Sequence, residues 1–237
     1  MTKPMNNATG LHVLPIGAGS LIKTRAKFGL ALLCLLFAPL FSQARETPLP
    51  DLETMSRLRL GEIVVESTRI DGNGGAVKAS LMMWAPVKDI WAIVYSCKNA
   101  FIFLAGLEVC EVLEDEGVDV VTRQVINENW PAPKQDYTFR THSAPYTRAD
   151  IQLVEGTLKF MQASWEYINM PEAVVVIYTV RLQPEFPAPR FLVRRALKNR
   201  TNELLACVRG LVGGSGSAER KKKDLDHCPG DIEQVAR

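Results

Sequence analysis

The chain has 237 residues, 47% hydrophobic and 23% charged, with a formal net charge of +2. That is enough apolar material for one globular domain with its own core. The near-balanced charge excludes the strongly basic footprint of a nucleic-acid binder, and no nucleic-acid partner is expected.

The chain opens on a targeting signal. Lys23, Arg25 and Lys27 precede an uncharged apolar run over 28–41 that closes on Ser42-Gln43-Ala44. A basic stretch, a short apolar stretch and small residues at a cleavage site make a secretory signal over 1–44, cut after Ala44, with a periplasmic destination. The run falls short of the roughly 20 apolar residues a spanning helix needs, which disfavours the alternative of an uncleaved anchor. Cys34 lacks a small residue just before it, so lipidation is not expected. Export leaves Cys97, Cys110, Cys207 and Cys228 in an oxidising compartment. Cys97 and Cys110 lie at the ends of neighbouring elements joined by a short connection, and a disulfide between them is expected; the alternative is two small buried hydrophobes.

Residues 45–60, with Pro48 and Pro50, read as a linker leading into a short helix. Residues 61–70 are rich in Val and Ile and read as a strand. The turn Asp71-Gly72-Asn73-Gly74-Gly75 follows, and 76–84 resume as a strand, forming with the first either a hairpin or one interrupted long strand. Pro86 stands where helices begin, and Val87, Ile90, Trp91 and Val94 recur at helical spacing. A second short helical turn is expected over 99–104.

Strands follow over 108–113 and 118–129, around the acidic turn Glu114-Asp115-Glu116-Gly117. Trp130-Pro131-Ala132-Pro133 interrupts, because proline cannot donate within a ladder. Four more strands are expected over 135–141, 149–155, 158–168 and 173–182, spaced as an antiparallel meander. After Pro187 and Pro189, residues 190–212 place Val193, Leu197, Leu204, Val208 and Leu211 on one helix face, with the basic residues largely elsewhere. Gly213-Gly214-Ser215-Gly216-Ser217 is a flexible linker, and 213–237 is expected to be a disordered tail in which Cys228 is a spare thiol.

This order resembles the SRPBCC superfamily, which includes START lipid-transfer domains, polyketide cyclases and coenzyme Q-binding proteins. The resemblance covers 61–212. It is carried by Ala85-Pro86-Val87-Lys88-Asp89-Ile90-Trp91, by Pro145-Tyr146-Thr147-Arg148, by Val154-Glu155-Gly156 ahead of Trp165, and by the proline-rich entry into the last helix. It implies an α+β helix-grip fold: a curved antiparallel sheet of about seven strands wrapped around a long C-terminal helix, with two short helices after the first strand. It also implies an apolar cavity between sheet and helix, but not catalysis, because one fold serves carriers and enzymes alike.

Alternation nominates the lining: Tyr137 and Phe139, then Met161, Trp165 and Tyr167, then Val176 and Tyr178, with Leu197 and Leu204 from the helix. Trp165 and Tyr178 each carry a polar tip able to orient a ligand head group; as ordinary core aromatics they would simply fill the interior. Arg190, Arg194, Arg195 and Lys198 crowd the start of the helix. They form either a surface for transient contact with anionic membrane or a solvated face.

The sequence carries few of the groups that catalytic constellations need. His142 stands alone beside Ser143, no Gly-x-Ser-x-Gly elbow occurs, and the carboxylates Glu111, Glu114, Asp115, Glu116 and Asp119 span a turn instead of converging on a pocket. No metal site, catalytic residue or cofactor is expected. The sequence therefore reads as an exported protein that holds a lipid, quinone or other apolar small molecule. The alternatives are a cyclase-type enzyme using the same cavity and a protein-interaction module. The direction of Arg140, His142 and Arg181 separates the first two, since convergence on the cavity would favour chemistry.

Overall fold

A computed structural model describes residues 47–68, 70–127 and 133–232. The expected signal over 1–44 lies outside the described residues, as do Trp130, Pro131 and Ala132 of the proline interruption. The element order is α1 (Leu52–Arg59), β1 (Val64–Thr68), β2 (Gly75–Met83), α2 (Val87–Val94), α3 (Cys97–Phe103), β3 (Leu107–Asp115), β4 (Asp119–Ile126), β5 (Gln135–Ala144), β6 (Arg148–Gly156), β7 (Leu158–Asn169), β8 (Val174–Pro184), α4 (Arg190–Leu211) and α5 (Ala218–Leu225). Among the described residues, the eight strands form one antiparallel sheet in the order β1-β2-β8-β7-β6-β5-β4-β3. The glycine-rich turn makes a true hairpin, Val64 pairing with Ser80 and Thr68 with Ala76. The sheet therefore has one strand more than expected, and the two short helices follow its second strand.

Two apolar clusters lie on opposite faces. Leu81, Met83, Trp165, Tyr167, Val174 and Val176 meet Leu205, Cys207 and Val208 of α4 and Ile90 and Ile102 of α2 and α3 on the gripping face. On the outer face, Met55 and Leu58 of α1 pack on Met82, Val175 and Ile177. The short helix expected at the end of 45–60 is thus formed, and it is packed on the sheet instead of serving as a linker, with Leu58 fully buried. Asp51 caps α1 by accepting from the Thr54 amide at 2.9 Å. Strands β2 and β8 are consequently covered on both faces, which explains their near-continuous apolar runs.

The tail departs further from expectation. Ser217 caps α5 by accepting from the Arg220 amide. Asp224 then reaches back to Arg209 of α4, and a disulfide joins Cys207 to Cys228. Beyond it, the Gly230 amide donates to the Ile102 carbonyl at 3.0 Å. Residues 218–225 are therefore helical and docked, and Cys228 is no spare thiol. The physical reason is that α5 needs few apolar residues when a buried ion pair and a covalent bond hold it.

Two of the motif segments shape the sheet's far end. Tyr146 adopts a left-handed backbone (φ 63°) in the tight β5–β6 connection, and its ring lies 5.7 Å from that of Trp91 on α2. Gly156 ends β6 at φ 129°, and a Cβ there would stand 2.4 Å from the Asp136 carbonyl oxygen, so only glycine lets the chain turn into β7 against β5.

Candidate functional site

The space between sheet and α4 is hollow and divided into two chambers. The outer one, about 320 Å³, lies between the end of β8 (Tyr178, Val180, Leu182), the first turns of α4 (Val193, Leu197, Leu204) and the end of α3. It reaches the surface at the exposed residues Pro133, Ala196, Arg200 and Pro229. The inner one, about 170 Å³, lies between α2–α3 and strands β3 to β8. Phe103, Leu104, Tyr178 and Leu204 line both and form the waist between them.

Val193, Leu197 and Leu204 of the α4 stripe line the outer chamber. Its C-terminal half is buried from Leu205 to Gly210, whereas Phe191 and Leu192 in the first turn are 62% and 45% exposed. The Cys97–Cys110 disulfide, the pairing expected from sequence, ties α3 to edge strand β3 and forms part of the inner wall.

Polar groups concentrate in the inner chamber. The Tyr137 hydroxyl donates to Gln124 Oε1 at 3.1 Å, and Gln124 Nε2 donates to Cys110 Sγ at 3.8 Å. Behind this wall the Tyr167 hydroxyl donates to that of Tyr95 at 3.3 Å. Burial raises the pKa of Tyr95, Tyr167 and Tyr178 well above the ordinary phenol value, so all three stay protonated. Trp165 and Tyr178 are direct cross-strand partners with ring centroids 4.6 Å apart.

Of the residues nominated from sequence, Tyr178 and Leu204 line both chambers, Leu197 the outer, and Tyr137, Phe139 and Trp165 the inner. Val176 and Tyr167 share their face but belong to the packed core beneath the chambers. Met161 is paired with Leu182 on that face without being part of the lining. Arg190, Arg195 and Lys198 are exposed, and the stem of Arg194 lies where a Cβ on Gly75 would meet it at 3.1 Å.

Thr122, Gln124 and Ile126 of β4 and the Phe103-Leu104 end of α3 also line the cavity and were not nominated. The β4 parity was available in the sequence, where polar Thr122 and Gln124 hide an inward face. The end of α3 gave no periodic signal.

Arg140, His142 and Arg181 do not converge on the chambers. His142 Nδ1 lies 3.0 Å from Asp119, and Arg140 lies 3.8 Å from Glu114. Arg181 sits over the Phe160 ring at 5.8 Å, alternating along β8 with the lining residues Val180 and Leu182.

Residues 83–209 match the model of the family described as polyketide cyclase / dehydrase and lipid transport, a span of more than half the chain. The chain belongs to this family. Among solved structures, a STAR-related lipid transfer protein from Xanthomonas axonopodis is similar at 12% identity, over 64% of this chain and 93% of that one, with a TM-score of 0.56. A START superfamily protein from Mycobacterium smegmatis is 14% identical over 58% and 97% of the two chains, with a TM-score of 0.49. An aromatase/cyclase from a Streptomyces species is 17% identical over 69% and 96%, with a TM-score of 0.43. At these identities the likeness concerns the fold. No curated protein matches the sequence. Membership in the polyketide cyclase and lipid transport family agrees with the helix-grip architecture, a ligand-binding fold.

Proposed function

We propose that the protein is an exported carrier that holds a lipid, quinone or other apolar small molecule in the two-chamber cavity and does no chemistry on it. The observation that carries this reading is the apolar outer chamber, open at one rim and continuous in lining with a smaller chamber behind it. Its volume is at the lower end of the range typical of small-molecule pockets, about 300 to 1,000 Å³. The outward direction of Arg140, His142 and Arg181 supports carriage over cyclisation, since these side chains stand away from the cavity.

Two disulfides support an oxidising destination. Among the described residues no helix is long and apolar enough to cross a membrane. Loading takes place at an anionic membrane surface: exposed Phe191 and Leu192 stand among Arg190, Arg195 and Lys198 beside the outer chamber. Such a mixed patch inserts its apolar side chains while the cations meet head groups.

The test is extraction and mass spectrometry of lipids co-purifying with the protein, together with transfer of a labelled lipid between vesicles. A co-purified apolar molecule in stoichiometric amount, and transfer faster than the spontaneous rate, is the expected result. An empty protein that accelerates no transfer overturns the reading.

A further inference from the structure

We infer that the inner chamber is a head-group site for an uncharged ligand bearing a hydroxyl or carbonyl oxygen, received by Tyr178 and Trp165, with the apolar remainder of the ligand in the outer chamber. The inference rests on the carrier reading above and adds the chemical class of the ligand and its orientation.

Four polar side chains lining the inner chamber have no side-chain hydrogen bond among the described residues: Trp165, Tyr178, Thr122 and Thr141. Trp165, Thr122 and Thr141 are 4%, 8% and 6% exposed. Yet no fully enclosed side-chain nitrogen or oxygen among the described residues lacks a partner. The polar tips of these four must therefore border open space, and the space they share is the inner chamber.

Their chemistry defines what they await. The indole N–H of Trp165 can only donate, and a phenol held protonated donates readily. Cross-strand pairing puts both on one face of the sheet with their rings in contact. A ligand atom satisfying them is an acceptor. Thr122 and Thr141 can either donate or accept, so they also suit a hydroxyl.

Charge narrows the class. Among the described residues, no Asp, Glu, Lys, Arg or His lines the inner chamber. A carboxylate or phosphate placed there would lose its hydration without gaining a counter-ion. At the rim, Arg200 and Glu203 are paired at 2.8 Å. An anionic head is thus disfavoured inside, whereas an alcohol, ketone, ester or quinone oxygen exchanges water for two donors at little cost.

Equilibrium dialysis with radiolabelled decane, decanol and decanoate tests this at neutral pH. The expected result is that decanol binds roughly five- to tenfold more tightly than decane, the worth of one net hydrogen bond, and that decanoate binds more weakly than decanol. Tyr178→Phe and Trp165→Phe, each checked for folding by circular dichroism, should lower the ratio of decanol to decane affinity. Decanoate binding as tightly as decanol, or a decanol-to-decane ratio unmoved by both substitutions, overturns the inference while the carrier reading stands. Binding of none of the three overturns the carrier reading itself, and the inference with it.

Discussion

Arg209 of α4 and Asp224 of α5 form a two-pronged, buried ion pair, Nη2 to Oδ1 at 2.8 Å and Nε to Oδ2 at 2.9 Å. The Ser215 hydroxyl donates to the same carboxylate at 2.6 Å, and Arg209 Nη1 donates to the Gly61 carbonyl at 3.0 Å. One salt bridge thus joins the end of the gripping helix, the helix after it and the entry to β1. Removing one partner leaves a buried charge uncompensated. Asp224→Ala should cost about 3 to 5 kcal/mol of stability by chemical denaturation, whereas replacing both residues by apolar ones of similar volume should cost less. Equal losses in the two variants would refute the pairing argument.

The Cys207–Cys228 disulfide fixes the tail across α3, bringing Pro229 to the rim of the outer chamber. Cys228→Ser should lower stability by about 3 kcal/mol, the chain-entropy value for a loop of this order. It should also speed exchange of bound ligand, because the rim is then held only by hydrogen bonds such as Gly230 to Ile102. Unchanged exchange kinetics would show that the tail does not gate the mouth.

Leu204 stands at the waist between the chambers. Leu204→Trp should fill much of that waist and abolish binding of ligands long enough to span both chambers. Overpacking should cost only about 1 to 3 kcal/mol of stability. Retention of full affinity by a folded Leu204→Trp variant would place the ligand elsewhere.

Tyr95, Tyr167 and Tyr178 have folded-state pKa values raised by burial above the ordinary value of 10.0. Above that ordinary value the unfolded chain ionises these phenols while the folded chain keeps its protons, so ν in the unfolded state is the smaller and stability falls as pH rises. Their contribution is complete below a pH of about 10 and is lost progressively above it. Denaturant midpoints measured through the alkaline range should decline, and Tyr178→Phe should lessen the decline. A midpoint that stays flat to strongly alkaline pH would contradict the burial of these phenols.

Membrane loading predicts a charge effect. Each basic residue near an anionic surface contributes about 1 kcal/mol, so Arg195→Gln with Lys198→Gln should weaken binding to phosphatidylglycerol-containing vesicles by roughly tenfold or more. Raised salt should mimic the double variant, and neutral vesicles should respond to neither. Salt-insensitive binding would rule out the electrostatic part of the docking.

The strands, the gripping helix and the inward parity of β5, β7 and β8 are legible in the sequence, because alternation with a period of two and a stripe at helical spacing are local signals. Those signals were enough to put Trp165, Tyr178, Tyr137 and Leu204 at the cavity. They could not say that Val176 and Tyr167 fill the core while Tyr178 meets open space, since this depends on which side chains of distant segments meet each position. Long-range packing settles that, together with the docking of α1 on the outer face and of α5 against α4. Leu58 against β2 and β8, Arg209 with Asp224, and Ile102 with Gly230 are pairings between distant segments. A polar helix such as α5 shows no apolar periodicity of its own, and its place becomes visible only when the partner that neutralises its one buried charge is in view.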